Sequence, residues 1–261
     1  MKHSRNAVET KNLSISWGNI NVLSKLNLKI QEGERLAIVG PSGSGKSTIL
    51  KILAGLILPT EGELIIFGDK QKYLRLDQNN PPDVRLVFQN PALLGSLTIE
   101  ENVGFLLHKN KNISKKFIHE IVSECLEEVG LYNVENKLPN ELSGGMQKRV
   151  SFARALITDR DKIKETKPLL LFDEPTAGLD PIASTRIEDL INKTISKANG
   201  TSVVVSHVLS TIERTSDKVL ILYGGKFRWA GSIDQFKESN DPYVFQFRNG
   251  KLDGPMQPKD I

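Results

Sequence analysis

The segment Gly-Pro-Ser-Gly-Ser-Gly-Lys-Ser at positions 40–47 restricts the fold of this chain more than any other feature. It fits the pattern G-x-x-x-x-G-K-[ST], in which glycines let the backbone curl around phosphate groups and the lysine adds a full positive charge. An apolar run at 36–39 precedes the segment, and Ile49, Ile52 and Leu53 follow it at helical spacing. This order of strand, loop and helix predicts a site for a nucleoside triphosphate at the helix N-terminus.

The predicted phosphate contacts are the loop residues and the residue that follows them. They are Gly40, Pro41, Ser42, Gly43, Ser44, Gly45, Lys46, Ser47 and Thr48. The hydroxyl of Ser47 is placed to coordinate Mg²⁺, which bridges phosphate oxygens and keeps most of its other positions for water. The sequence therefore predicts a magnesium nucleotide rather than a nucleotide alone.

A second element is the run Leu-Leu-Leu-Phe-Asp-Glu at 169–174, in which an apolar strand ends in two acids. The carboxyl ends of strands form the edge where ligands bind in open α/β sheets. Asp173 suits the surroundings of Mg²⁺, and Glu174, on the opposite side of the strand, could polarise the attacking water. Paired acids at a strand end are also common on surfaces, and their position after a phosphate loop favours the catalytic interpretation.

The rest of the chain alternates short apolar runs with helical patterns. The runs lie at 35–39, 64–67, 84–88, 169–172, 202–205 and 218–222. Continuous runs of this kind predict strands covered on both faces, and the alternation predicts an α/β fold. From about 91 to 167 amphipathic helical segments replace the strands, which indicates an inserted helical subdomain, and the last residues are typical of a tail.

Composition excludes several classes of protein. The longest apolar stretch, 52–58, is far shorter than the ~18 residues of a membrane span, and the polar N-terminus lacks the apolar segment of a secretory signal. The single cysteine, Cys125, shares an apolar helix face with Ile118, Ile121 and Val122, so we expect core packing and a reducing, intracellular compartment. The net charge of +4 is not clustered and does not favour nucleic acid as a partner.

Residues 142–147, Leu-Ser-Gly-Gly-Met-Gln, closely resemble the signature motif of ATP-binding cassette (ABC) ATPases. Three further elements stand in the order of that family. Gln89 matches its Q-loop, residues 177–180 match its D-loop, and His207 matches its switch histidine. The resemblance extends over nearly the whole chain.

The resemblance implies a P-loop NTPase core with an antiparallel β subdomain and an inserted α-helical subdomain. We expect a single ABC ATPase domain over 1–261. Its nucleotide-binding core would comprise 1–90 and 168–238, its helical subdomain with the signature 91–167, and its tail 239–261. The expected cofactors are ATP and Mg²⁺.

The resemblance also implies roles for individual residues. Gln89 would coordinate Mg²⁺ or the water, and His207 would contact the γ-phosphate beside the catalytic Glu174. Trp17 stands where relatives usually have Tyr or another aromatic that stacks on adenine, although a half-buried core position is the alternative. The remaining expected nucleotide contacts are Ser143, Gly144, Gly145, Gln147 and Asp180.

Ser143 and the glycines after it would open a helix over 146–156 and create an anion site without a lysine. In the family, this half-site faces the γ-phosphate bound by the other protomer. One chain carries one phosphate loop and one signature, so the resemblance implies that a second copy closes head to tail around two nucleotides.

Two segments resemble the ATPases of Mla/Mce-type lipid transporters: 90–103, and the tail from 241 to 255. The leucines 93, 94 and 97 either dock a membrane subunit or fold into the helical subdomain. Tyr243, Phe245 and Phe247 alternate at period two, which predicts an extended segment whose rings pack on a neighbouring subunit; the alternative is that they fold back on this chain. The charged stretch 158–167 resembles plastid and cyanobacterial members, or is a solvated loop.

The favoured hypothesis is the ATPase subunit of a phospholipid-transporting ABC complex. It would lie in the cytoplasm, peripheral on the inner membrane through a separately encoded permease, or in the plastid stroma, and a Mce-type substrate-binding subunit is a further candidate partner. Another cargo, such as lipoprotein, metal or amino acid, would use the same catalytic residues. A soluble ABC ATPase acting on ribosomes or DNA usually has two cassettes or long heptad helices, which this sequence lacks.

Overall fold

The computed structural model describes residues 5–109, 113–157 and 167–257. Its strands are β1 (Asn6–Trp17), β2 (Ile20–Gln31), β3 (Arg35–Val39), β4 (Glu61–Ile66), β5 (Asp69–Lys70), β6 (Val84–Val87), β7 (Leu169–Asp173), β8 (Thr201–Val205), β9 (Lys218–Tyr223) and β10 (Lys226–Ser232). Its helices are α1 (Lys46–Leu53), α2 (Ile99–Val103), α3 (Lys115–Glu128), α4 (Gly144–Leu156), α5 (Pro181–Ala198), α6 (Leu209–Thr215), α7 (Ile233–Glu238) and α8 (Pro242–Asn249). Part of the predicted charged stretch, 158–166, lies outside the described residues.

The larger sheet has six strands in the order β10-β9-β3-β8-β7-β6. All of its neighbouring strands are parallel except β10, which pairs antiparallel with β9. Every residue of β7 and β8 is buried, as continuous apolar runs predict for strands covered on both faces. The α/β expectation is confirmed, and the carboxyl ends of β3, β6, β7 and β8 lie at one edge of this sheet.

The smaller sheet is antiparallel, in the order β2-β1-β4-β5. The run 64–67 was expected to be covered on both faces, and this expectation is wrong. In β4, Leu64 and Ile66 are buried whereas Glu63 and Ile65 are only partly so. This alternation arises because an antiparallel sheet packs one face on the core and leaves the other closer to solvent.

Helices α2, α3 and α4 lie between β6 and β7 in the chain and share one apolar core with the sheet. Cys125 is buried in that core, as its helical spacing predicts. Burial raises the pKa of its thiol to about 11, because an apolar environment disfavours the thiolate. In the described ranges, which omit 1–4, 110–112, 158–166 and 258–261, no helix is long and apolar enough to span a membrane.

The leucines after Gln89 were expected either to dock a membrane subunit or to fold into the helical subdomain, and they differ in exposure. Asn102, almost fully buried, both accepts from the backbone N–H of Leu94 at 2.7 Å and donates to its carbonyl at 3.0 Å. Leu93 packs against the core of the helical segment, whereas the side chain of Leu94 is 48% exposed. This hydrogen-bonded loop therefore presents Leu94 to the outside and keeps Leu93 inside, while Leu97 is partly buried.

The expectation that 243–247 is extended is wrong, because these residues form α8. Asp241 caps the helix by accepting from the N–H of Tyr243 and Val244, Pro242 occupies its first position, and Gly250 ends it at a φ of +60°. These capping signals outweigh a short alternation of aromatic residues. Tyr243 and Phe247 pack against the chain's own apolar core, while Phe245, on the opposite face, stays 42% exposed.

The segment after α8 is held to the same core. Gln246, which is 5% exposed, accepts from the N–H of Met256 and donates to its carbonyl, both at 2.7 Å. The phenol of Tyr223 bonds both backbone groups of Gln257. The residues expected to form a tail therefore pack, up to residue 257, against a core that includes one face of β3 and β9.

Candidate nucleotide-binding and catalytic site

The loop between β3 and α1 depends on glycine at two points. Gly40 has a φ of +151°, and a side chain there would collide with the backbone oxygen of Leu222. Gly45 has a φ of +99° at the N-cap of α1, where a side chain would come within 2.8 Å of Leu23. These conformations bring the loop tightly against β9 and β2 and leave the first N–H groups of α1 free to bind an anion.

Lys46 is 8% exposed and donates from Nζ to the carbonyls of Gly40 and Pro41, both at 2.8 Å. Burial lowers its pKa, and the carboxylates of Glu174 and Asp173 oppose that shift. In the same loop the buried Oγ of Ser44 has no hydrogen-bond partner. A fixed ammonium beside an unsatisfied hydroxyl fits a loop whose polar atoms await phosphate oxygens. Ser42 and Gly43 lie exposed at the tip of the loop, and Thr48 lies in the first turn of α1.

Ser47 and Asp173 meet at the predicted magnesium position. The hydroxyl of Ser47 donates to Oδ1 of Asp173 at 3.0 Å. Burial raises the pKa of the Asp173 carboxyl, an effect that the Ser47 hydrogen bond opposes. Within the described ranges no group of three or more His, Cys, Asp or Glu could hold a metal ion by itself. One hydroxyl and one carboxylate therefore fit Mg²⁺, which takes its other ligands from phosphates and water.

Glu174 and His207 lie at the ends of neighbouring strands, β7 and β8. Oε2 of Glu174 is 2.9 Å from Nδ1 of His207 and 3.4 Å from its backbone nitrogen. The Glu174 side chain is 12% exposed and that of His207 60% exposed. Glu174 adopts a φ of +45°, an uncommon conformation for a residue with a side chain. The sequence had predicted both residues at this edge, and the structure brings their side chains into contact.

Gln89 and Trp17 approach the same edge from other elements. Val87 at the end of β6 pairs with Phe172 of β7, and Gln89, exposed two residues after β6, follows the strand that neighbours the one ending in the two acids. Trp17 ends β1 and is 54% exposed, so it is not a core residue. The following strand carries Val22 to within 3.3 Å of the position that a side chain at Gly45 would take.

The signature residues stand at the N-terminus of α4. Oγ of Ser143 caps the helix by accepting from the N–H of Met146 at 3.3 Å. The two glycines after it face open space. The amide of Gln147 donates to the carbonyls of Pro139 and Leu142, so it braces the loop that leads into the helix. The described contacts of these side chains are therefore to their own segment.

Asp180 begins the helix that follows the acids. Its carboxylate accepts from the N–H groups of Ile182 and Ala183 at 2.9 and 3.0 Å, as expected of an N-cap before Pro181. One residue near it was missed by sequence reasoning. Lys148 is 5% exposed and its Nζ lies 3.3 Å from the carbonyl of Ala177. Lys148 lies four residues before the buried Phe152 on α4, so both share one helix face, and this spacing could have predicted that Lys148 is buried.

The profile of the ABC transporter family matches residues 23–177, which include the phosphate loop, the signature and both acids. The chain belongs to the ABC transporter family. It is 47% identical over 260 residues to the Arabidopsis thaliana protein TRIGALACTOSYLDIACYLGLYCEROL 3, chloroplastic, covering 96% of this chain and 75% of that protein. It is 36% identical to the intermembrane phospholipid transport system ATP-binding protein MlaF of Haemophilus influenzae, over 98% of this chain and 95% of MlaF.

Solved structures agree with this assignment. The dimeric post-hydrolysis state of the ATP-binding cassette MJ0796 bound to ADP and Pi is 33% identical, with a TM-score of 0.73. The match covers 87% of this chain and 98% of that cassette. The expected cassette fold is thereby confirmed, and this ABC chain is an ATPase that binds a nucleotide.

Proposed function

We propose that this ATPase energises a membrane transporter of phospholipid. The proposal rests on the similarity of the chain, over nearly its whole length, to MlaF of Haemophilus influenzae, the ATP-binding protein of an intermembrane phospholipid transport system. The chain is similar over the same length to the Arabidopsis thaliana protein TRIGALACTOSYLDIACYLGLYCEROL 3. Lipoprotein, metal and amino acid remain the competing cargoes, because every transporter of this family could use the same catalytic edge.

The chemistry follows from the residues at that edge. The loop N–H groups and Lys46 hold the phosphates, and the side chain of Trp17 offers an exposed aromatic face for the adenine. Ser47 and Asp173 would hold Mg²⁺, with Gln89, two residues after β6, as a further ligand. When bound, the ion neutralises charge that develops on the transferred phosphate.

Glu174 acts as the general base. Its carboxylate is held by His207 at the carboxyl end of β7, which keeps it aimed at the edge where the phosphates lie. His207 is more exposed than Glu174 and can reach toward the γ-phosphate while it keeps that contact. Glu174 thus accepts a proton from the attacking water, and His207 stabilises the negative charge on the γ-phosphate.

We propose that a second copy completes each site. Ser143, Gly144 and Gly145 present a helix N-terminus to open space, and a γ-phosphate on another protomer is the anion that suits it. Gln147 supports this end by bracing the preceding loop, and Asp180, at the N-cap of α5, is a further residue that we expect to contact the nucleotide. The dimeric structures of MJ0796 support this arrangement.

We propose a separately encoded permease as the membrane partner, docked on the hydrogen-bonded loop that exposes Leu94. A Mce-type substrate-binding subunit would join through the permease rather than through this chain. The ATPase would then lie peripherally on the inner membrane, or on a plastid membrane facing the stroma. We expect no nucleic-acid partner.

Copurification tests the cargo. The chain is purified from detergent extracts with its natural partners, reconstituted in phospholipid vesicles, and compared with the same complex carrying Glu174→Gln. Phospholipid transfer that requires ATP and is lost in the variant supports the proposal. A partner permease that moves lipoprotein, metal or amino acid, or copurification with ribosomes, contradicts it.

A further inference from the structure

A buried carboxylate lies behind the catalytic edge, in α5. Glu188 is only 1% exposed, although it carries a carboxylate and lies in the first half of α5. A buried carboxylate destabilises a protein unless it is paired and hydrogen-bonded. Its partners therefore tell which parts of the fold it holds together.

All the partners of Glu188 come from α6, the helix that follows His207. Its Oε1 accepts from the hydroxyls of Ser210 and Thr211, both at 2.9 Å. Its Oε2 has no aligned hydrogen-bond donor and lies 2.9 Å from Nε of Arg214, so an ion pair balances its charge. Three side chains of one short helix thus meet at a single carboxylate.

The network continues to the segment that carries Glu174. Thr211 is fully buried, and its Oγ1 lies 2.7 Å from Oγ1 of Thr176, two residues after Glu174. A hydroxyl has one hydrogen, and Thr211 gives it to the carboxylate of Glu188. Thr176 must therefore donate to Thr211, which orders a chain of hydrogen bonds from Thr176 through Thr211 to Glu188.

We propose that Glu188 is a positioning residue for the contact between Glu174 and His207. It holds the segment after β7 through Thr176 and the segment after β8 through α6, and these segments carry the two catalytic side chains. This inference rests on the proposed roles of Glu174 and His207. The 2.9 Å contact between them depends on two loops of independent sequence keeping one relative position, and the Glu188 network supplies that constraint.

The test uses steady-state ATP hydrolysis by the full chain. Glu188→Leu removes the carboxylate, and Glu188→Gln keeps an acceptor for Ser210 and Thr211 but loses the ion pair with Arg214. We expect kcat to fall about 10²-fold for the leucine variant and about tenfold for the glutamine variant, since small displacements of catalytic groups have effects of this size. KM for ATP should not change, because Lys46 and Trp17 lie on other elements.

Asp189→Asn is the matched control. Asp189 is the next residue, it also pairs with Arg214 at 2.9 Å, and its side chain is 55% exposed. We expect its kcat to stay within about twofold of the wild type. If Glu188→Leu does not fold, Thr211→Val tests the inference instead. This variant is nearly isosteric and removes only the hydroxyl that links Thr176 to Glu188. Its kcat should fall about tenfold.

A spectroscopic readout separates positioning from general stability. The chain has four histidines, so selective ¹⁵N labelling of imidazoles gives few resonances, and His207→Ala assigns the one of interest. The His207 resonance should move in Glu188→Gln and Thr211→Val toward its position in Glu174→Gln, and stay in place in Asp189→Asn. Full kcat together with an unmoved His207 resonance in both network variants would overturn the inference. If Glu174→Gln itself retained turnover, the proposed function would fail instead.

Discussion

Glu174 and His207, separated by 33 residues in the chain, touch through Oε2 and Nδ1 at 2.9 Å. The contact exists because β7 and β8 are parallel neighbours, with Asp173 paired to Val205, so both side chains leave the sheet at the same edge. Since a carboxylate only accepts, Nδ1–H donates, and the other ring nitrogen remains free for the substrate. The hydrogen bond thus fixes the orientation of the imidazole relative to the carboxylate.

Glu174→Gln should bind ATP normally and hydrolyse it about 10²- to 10⁴-fold more slowly, because the amide cannot take a proton from water. Phosphate release by the full chain and binding of a fluorescent ATP analogue measure the two effects. Near-normal turnover would mean that another group is the base.

Lys46→Ala should weaken ATP binding about 10- to 100-fold, because it deletes the charge-assisted hydrogen bonds to phosphate. The folded state should persist, since Lys46 contacts only loop carbonyls. Lys193→Ala, on the exposed face of α5, removes the same charge far from the loop and should leave affinity unchanged. Equal affinities for the two variants would count against the phosphate role of Lys46.

Cys125 should resist alkylation in the folded protein. Burial in the helical core raises the pKa of its thiol to about 11, so at pH 8 very little thiolate is present. We expect the folded chain to react with iodoacetamide roughly 10²-fold more slowly than the urea-unfolded chain. Comparable rates would show that the α3 face carrying Cys125 opens to solvent.

The packing of α8 predicts unequal effects at neighbouring positions. Val244→Ala should lower the free energy of unfolding by about 2 kcal/mol, because the side chain is fully buried in the core beneath β9 and β10. Phe245→Ala, on the exposed face, should change it by less than about 0.5 kcal/mol. Urea denaturation followed by circular dichroism measures both. A larger loss of stability for Phe245→Ala than for Val244→Ala would contradict the packing of α8 described above.

The edge that carries Asp173, Glu174 and His207 could be predicted from the sequence because these residues follow the apolar runs at 169–172 and 202–205. Such runs form parallel strands, and parallel strands end together, which predicts that Asp173 and His207 converge. Ser47 was located by the phosphate-loop motif between β3 and α1. The signature at 142–147 indicated the family, and the half-site that we propose at the start of α4 follows from that resemblance and not from any hydrophobic periodicity.

Other parts depended on contacts that local patterns do not encode. The strand β1 mixes buried and exposed residues irregularly because its register against β2 shifts at several bulges. The alternation of Tyr243, Phe245 and Phe247 predicts an extended segment, but Asp241 and Pro242 cap a helix there, and the rings of α8 pack at helical rather than strand spacing. Glu188 meets Ser210 and Thr211, 22 and 23 residues away, and only the fold brings them together.

The central claim is that two copies of this ATPase close head to tail around ATP, with Ser143 of one chain facing the nucleotide of the other. Sedimentation velocity of Glu174→Gln in the presence of ATP tests it most directly, because slowed hydrolysis keeps the closed state populated. Ser143→Arg in the same background is the variant, and Ser196→Arg, on the exposed face of α5, is the control. The account predicts dimers for Glu174→Gln alone and with Ser196→Arg, and monomers that still bind ATP with Ser143→Arg; ATP-driven dimers of all three proteins would contradict it.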